Sequence, residues 1–276
     1  MDLSEKEYRL LSTFIYEKSG IDLGDSKQQL VKTRLQKRIR KLGLESFKEY
    51  YDYVVKQKSG EELTELLDAI STNYTFFFRE RDHFDFLSNK GIDQIIQRKQ
   101  KNGSRTLRVW CAAASTGEEP YTILITLMEK IKNLGGWDFK MLATDISTKV
   151  LKKCQVGVYQ KKQLKELSPL LREKYFDAIV EDNEKKYMIK EEVKSFISFK
   201  KFNLMTSKFP FKGKFDIIFC RNVMIYFDRS TQESLNFKML KVMEPQGFYF
   251  IAHSETLSGP AKSLVKPLGS AYFQKI

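Results

Sequence analysis

Ala113-Ala114-Ser115-Thr116-Gly117-Glu118-Glu119-Pro120 joins small residues and a glycine, where a backbone must turn closely, to two carboxylates. Glutamates at a helix N-terminus repel phosphate and favour a cation. The chain carries no GxGxxG or Walker A pattern, so a dinucleotide is disfavoured. Asp145, at the end of a second apolar run, is placed to accept hydrogen bonds from ribose hydroxyls. The competing reading is that it only caps the helix that follows. A ribose-bearing, cationic, phosphate-free cofactor fits S-adenosylmethionine (SAM). Further polar and aromatic groups cluster in Asn73–Glu80 (NYTFFFRE), in Arg221–Asp228 (RNVMIYFD) and in His253-Ser254-Glu255. With only two histidines, His83 and His253, there is no triad pattern, and both are expected to be structural. The three cysteines (Cys111, Cys154, Cys220) are far apart and lack CxxC spacing, so no disulfide framework or metal site is expected and a reducing cytoplasm fits.

The elements that must hold these groups change character along the chain. Residues 3–70 have apolar positions at three-to-four spacing (Tyr8, Leu11, Phe14, Ile15) and breaks at Ser19–Gly20, Leu42–Gly43 and Ser59–Gly60, which predicts three or four short helices. From about residue 105, strands alternate with helices. Strands are expected at 107–112, 139–145, 215–220 and 247–252, with helices from Pro120 to Ile131, from about Ser147, and over Ser230–Met243. The 271–275 segment could close the sheet. This alternation argues for a doubly wound α/β domain, whose ligands bind beyond the carboxyl ends of the strands. Residues 155–200, with β-like pieces at 186–189 and 196–199, read as an insertion forming a small antiparallel sheet. The domain boundaries expected are 1–70, a linker over 71–90, and 91–276.

The chain has 276 residues, with 48 Lys+Arg against 35 Asp+Glu and a net charge of +13. A composition that is 42% hydrophobic excludes a mainly disordered chain or a fibre. No apolar run approaches the ~18 residues of a membrane span, and the N-terminus has no apolar signal core. The charge points to an acidic partner. Residues 1–75 are neutral overall, with 13 basic and 13 acidic residues, whereas 148–214 hold 17 basic against 8 acidic. Within the neutral part, Ser26–Leu44 carries seven basic residues and no acid. Val31, Leu35, Ile39 and Leu42 form an apolar stripe there, flanked by Arg34, Lys37, Arg38 and Lys41; a merely solubilising surface is the competing reading.

Taken together, NYTFFFRE (73–80), RVWCAAASTGEEPYT (108–122), LATDI (142–146), FNLM (202–205), FDIIFCRNVMIYFD (215–228) and AHSE (252–255) resemble, in order and spacing, the CheR family of chemoreceptor glutamate methyltransferases. The resemblance covers nearly the whole chain. It implies a Rossmann-like SAM-dependent methyltransferase domain with an inserted antiparallel β-subdomain, preceded by an all-α N-terminal domain. It further implies that SAM, or its product S-adenosylhomocysteine, binds between the helices and the sheet. Asn73, Thr75 and Arg79 then approach the cofactor or substrate. Glu119, with Glu118 beside it, sits near the methionine moiety and Asp145 at the ribose. Asn203 and Leu204 line the adenine pocket, and Arg221 and Asn222 complete the site. Arg79 and Tyr226 are the candidates for positioning the substrate carboxylate. Phe76, Phe77 and Phe78 also have a plain reading as interface core, expected of at least one of them.

The implied substrates are glutamates on the cytoplasmic methylation helices of chemoreceptors, and Arg34, Lys37, Arg38 and Lys41 are expected to dock that acidic surface. Some family members also capture a short receptor C-terminal peptide as an added strand on the subdomain; here residues 177–190 contain no glycine to mark a peptide-accepting turn. A glutamate of pKa about 4.3 is already ionised at neutral pH, so the reaction needs orientation and exclusion of water rather than a general base. A monomer without membrane insertion is expected. Against a nucleic-acid methyltransferase, Arg221-Asn222-Val223-Met224 lacks the Pro-Pro-aromatic motif and the basic residues lack interleaved stacking aromatics. A non-catalytic SAM-binding sensor would carry a similar cofactor cleft, and the same chemistry could serve a different acidic signalling protein.

Overall fold

The computed structural model describes residues 1–71, 73–131 and 136–276. Four helices come first: α1 (Glu5–Ser19), α2 (Gln28–Lys41), α3 (Phe47–Lys56) and α4 (Glu61–Ile70). Their ends follow local chemistry. Ser4 and Glu7 form a reciprocal capping box at α1, and the Ser46 hydroxyl accepts from the Glu49 amide at α3. The expected breaks at Gly20, Gly43 and Gly60 all fall in left-handed backbone. The apolar stripe of α2 (Val31, Leu35, Ile39) is fully buried against Leu11, Ile15, Phe47, Tyr50 and Leu66 in one core.

Then follow α5 (Arg81–Phe86), α6 (Ile92–Lys101), β1 (Thr106–Cys111), α7 (Glu118–Lys130), β2 (Asp138–Asp145) and α8 (Thr148–Val156). Next are β3 (Val158–Gln160), α9 (Pro169–Tyr175), β4 (Phe176–Glu181), β5 (Glu184–Ile189), α10 (Glu191–Lys194) and β6 (Ile197–Lys201). The chain ends with β7 (Phe215–Phe219), α11 (Arg229–Lys241), β8 (Met243–Phe250), β9 (Val265–Gly269) and β10 (Tyr272–Lys275). A seven-stranded sheet runs β6-β2-β1-β7-β8-β10-β9, and β3-β5-β4 forms a separate three-stranded sheet. The five strands from β6 to β8 are parallel; β10 pairs antiparallel with both β8 and β9. All five residues of β7 are buried, as a central strand covered on both faces requires. Its Asp216 is ion-paired with Lys99 at 2.8 Å and with Arg98, and accepts the Arg108 amide at 3.0 Å, so the one buried charge of the strand is answered from α6 and β1.

Two expectations are corrected. The insertion ends sooner than residue 200, because 197–201 pairs parallel with β2 as an edge of the main sheet. Alternation cannot distinguish an edge strand of one sheet from a piece of another. The strand expected at 247–252 starts at Met243, and β9 is an element that the sequence pattern does not predict; both contain a proline, Pro245 and Pro267, that reads as a break. The β4–β5 hairpin turns through Asp182 and Asn183, both with positive φ, so a tight turn forms there without glycine.

The helical domain packs on the carboxyl-end side of the sheet. The Asn203 amide donates to the Lys18 carbonyl at 2.8 Å, the Asp22 amide to the Tyr226 carbonyl at 2.7 Å, and the Tyr16 hydroxyl to Asp228 at 2.5 Å. That hydroxyl and the Thr231 amide hold the Asp228 carboxyl down at about 2.

Candidate active site

The strand order reverses between β1 and β7, and a cleft opens beyond the carboxyl ends of these strands and β2. Asn73, Thr75, Arg79, Glu119, Asp145, Asn203, Leu204, Arg221, Asn222 and Tyr226 all line it. Stretches far apart in the chain thus meet around one cavity.

Each group is fixed by its own local structure. Asp145 ends β2 and accepts the Ser115 amide at 2.9 Å and the Ser147 amide at 3.0 Å, one on each oxygen. The cap of α8 is Ser147, whose hydroxyl accepts the Val150 amide at 3.1 Å. The capping reading of Asp145 therefore falls, and each of its oxygens keeps acceptor capacity. Burial raises its pKa, opposed by those amides. Gly117 has φ +104, and a Cβ there would lie 2.5 Å from the Tyr159 hydroxyl and 2.7 Å from the Cys154 sulfur. Only glycine lets this loop turn into α7. Beside it, the Ser115 hydroxyl is buried in the cleft wall without a hydrogen-bond partner among the described residues.

Arg221 is the hub of the far wall. It is 3% exposed, and its guanidinium donates to Glu119 at 2.9 Å, to the Arg79 carbonyl at 2.5 Å and to Glu80 at 3.3 Å, its ion pair with Glu80 closing to 3.0 Å. Glu119 also accepts from the Cys111 thiol at 3.3 Å, and burial raises its pKa despite Arg221. Arg79 donates to the Tyr74 carbonyl at 2.9 Å and stands 5.9 Å from the centre of the Phe76 ring, which leaves the rest of its fork toward the cleft. Glu255 accepts the Met224 amide at 2.9 Å and the Ala252 amide at 2.7 Å, clamping the loop after β7 to the end of β8.

Other expected residues lie elsewhere. Glu118 does not line the cleft; it is buried toward the small sheet, accepting from Thr116 at 2.6 Å and Gln163 at 3.1 Å. Phe77 is fully buried against Tyr159 and Phe176, the core role expected of one of the three phenylalanines. Neither histidine lines the cleft. His83 is fully buried beside Ser270, and burial pushes its pKa down to about 4; His253 is exposed and bonded to Asp82 at 3.1 Å. Glu80, His83 and His253 bring one ligand atom each within 4.8 Å of one another, but Glu80 is committed to Arg221, and we assign no metal there.

The four basic residues of α2 divide. Arg38 makes a two-point pair with buried Glu62 at 2.9 and 2.5 Å, and Arg34 donates to the Ile70 carbonyl at the end of α4. Lys37 and Lys41 are exposed. Reasoning from sequence misses Ser19, Ile21 and Ser71, which the helical domain contributes to the cleft. No local pattern marks them; only the packing of the two domains does.

An orphaned Ser115 hydroxyl, an acceptor carboxylate at the end of β2, and acidic groups rather than a phosphate cradle at the start of α7 fit SAM. The family model described as CheR methyltransferase, SAM binding domain matches residues 73–272, and the one described as CheR methyltransferase, all-alpha domain matches residues 6–71. A probable chemotaxis protein methyltransferase of Rhizobium etli is 39% identical over 92% of this chain and 94% of its own. The chemotaxis protein methyltransferase of Borreliella burgdorferi is 39% identical over 94% of this chain and 91% of its own. That of Escherichia coli is 37% identical, covering 93% and 86%.

Proposed function

The chain belongs to the CheR methyltransferase family, and from that premise we propose that it methyl-esterifies glutamate side chains on the cytoplasmic helices of bacterial chemoreceptors. The observation that carries the reading is the convergence of Arg79, Glu119, Asp145, Arg221 and Tyr226 on one cleft at the switch point of the sheet. SAM, when bound, supplies an electrophilic methyl group on a sulfonium. Asp145 would hold the ribose hydroxyls, Glu119 would face the methionine end, and Asn203 and Leu204 would line the adenine pocket.

The chain's own work is orientation. A glutamate side chain enters already ionised, so no proton has to be removed from it. Arg79 offers a fork of donors to that carboxylate and Tyr226 offers one hydroxyl donor, which together fix the direction of an oxygen lone pair. Burial of this wall strips water from the carboxylate as it approaches. Lys37 and Lys41 are read as steering an acidic helix toward the cleft. Arg34 of the same helix is bonded to the Ile70 carbonyl, one residue before cleft-lining Ser71, which supports that reading.

The test pairs calorimetric SAM titration with transfer of labelled methyl groups to receptor and their release as methanol in base. Arg79→Ala and Tyr226→Phe are expected to lower turnover much more than SAM affinity. Equal losses of both, or methyl groups stable to base, overturn the reading.

A further inference from the structure

Glu80 belongs to no part of the reaction as described, yet it ties two cleft segments to each other and to the end of β8. Its carboxylate takes the Arg221 guanidinium at 3.0 Å and the His253 amide at 3.2 Å, so the segment at 73–80 is tied both to the loop after β7 and to the end of β8. It sits in left-handed backbone at φ 57, a conformation a non-glycine residue holds only when its surroundings fix it. Glu80 itself does not line the cleft; Arg79 before it does.

The charges around it can be counted. Arg221 carries one positive charge and is flanked by two carboxylates, Glu80 and Glu119. Adding Arg79 and Asp145 leaves the wall with one net negative charge. His83, whose ring lies 3.8 Å from the Glu80 carboxylate, is neutral near pH 7 and does not alter this sum. Were Glu80 uncharged, Arg221 would be neutralised by Glu119 alone and the wall would carry no net charge.

We propose that Glu80 is a positioning and specificity-determining residue: by supplying the second counter-charge to Arg221, it leaves the wall negative and so favours a cationic cofactor over its neutral product. SAM, with its sulfonium, carries one more positive charge than S-adenosylhomocysteine, and the two are otherwise nearly the same shape. A residue whose role is only to brace the fold affects both ligands alike, whereas a charge acts on the first more than the second. This inference rests on the methyltransferase reading of the cleft.

The experiment is calorimetric titration of SAM and of S-adenosylhomocysteine into the full chain. Glu80→Gln keeps the shape and an acceptor oxygen while removing the charge. It is expected to weaken SAM roughly three- to tenfold more than S-adenosylhomocysteine, and Glu80→Asp is expected to restore most of that preference. Should Glu80→Gln not fold, Arg221→Gln and the double variant Glu80→Gln/Arg221→Gln decide instead. Arg221→Gln leaves two net negative charges and is expected to raise the preference for SAM above that of wild type, and the double variant to bring it back to the wild-type ratio. Equal loss of both ligands in Glu80→Gln, no loss of either, or the same ratio in Arg221→Gln and in the double variant overturns the proposal. Wild-type protein that bound neither ligand would overturn the cofactor assignment along with it, which separates the two failures.

Discussion

Replacing Arg38 by alanine separates structure from docking in the basic helix α2. Glu62, its partner, is only 3% exposed, and the Arg38 side chain is 22% exposed. The pair is bonded at two points, and the Tyr50 hydroxyl donates to the same carboxylate at 2.9 Å. Removing one member of a buried pair costs about 3–5 kcal/mol, because the other charge is left without its partner. Solvent access at Arg38 and the surviving Tyr50 bond reduce this to about 2–3 kcal/mol. For a chain of this size that lowers the melting temperature by roughly 5–10 °C. Exposed Lys37 and Lys41, reversed to glutamate, are expected to shift stability by no more than about 0.5 kcal/mol. Those reversals should instead slow receptor methylation at low ionic strength, with the deficit fading as salt is added. Thermal melts run beside methylation assays at two salt concentrations read both effects. An apolar replacement of the whole cluster, Arg38→Met with Glu62→Leu and Tyr50→Phe, should recover most of the stability. If Arg38→Ala melted with wild type and lost methylation in a salt-dependent way, Arg38 would be a docking residue and the structural account of the pair would be wrong.

Two further outcomes follow from buried groups. His83 has a folded pKa of about 4 against 6.5 in a free side chain, so the unfolded chain takes up a proton first as pH falls. Its contribution is complete above pH 6.5 and is lost between there and pH 4, about 2 kcal/mol of it by pH 5; urea melts at pH 7 and 5 should show a difference that His83→Phe flattens, and an unchanged slope in the variant contradicts the assignment. Gly117→Ala forces a Cβ into the Tyr159 hydroxyl and the Cys154 sulfur at φ +104, with an expected loss of about 2–4 kcal/mol in a melt; an unperturbed midpoint would mean that the loop into α7 has another conformation available.

Much of this site is legible in sequence for a physical reason. Asp145 and Arg221 stand at or just after the apolar runs of β2 and β7, and a doubly wound sheet places such residues at one edge. Glycine at 117 and the glutamates after it announce a close turn into a helix without a phosphate cradle. What stays hidden depends on partners distant in sequence. Nothing local distinguishes Arg38, paired with Glu62, from Lys37 beside it, because a helical wheel shows the flank of a stripe but not what the next helix brings against it. Strand Ile197–Lys201 reads as part of the wrong sheet for the same cause: its neighbour, β2, lies far upstream in the chain. Glu80 closes the NYTFFFRE stretch, but its value lies in Arg221, contributed from far along the chain.

The net charge of +13 is therefore a poor guide to what the cleft recognises. In the docking role proposed for them, exposed Lys37 and Lys41 would act in water, where salt screens them and their effect would be mainly on encounter. Groups such as Glu119 and Arg221 act where solvent is largely excluded, and there a single unbalanced charge outweighs several on the surface. The same chain can thus present an attractive basic helix to an acidic partner and a locally negative wall to a cationic cofactor. The two fields coexist because they are separated by medium as well as by distance. Salt should weaken receptor encounter well before it weakens cofactor binding.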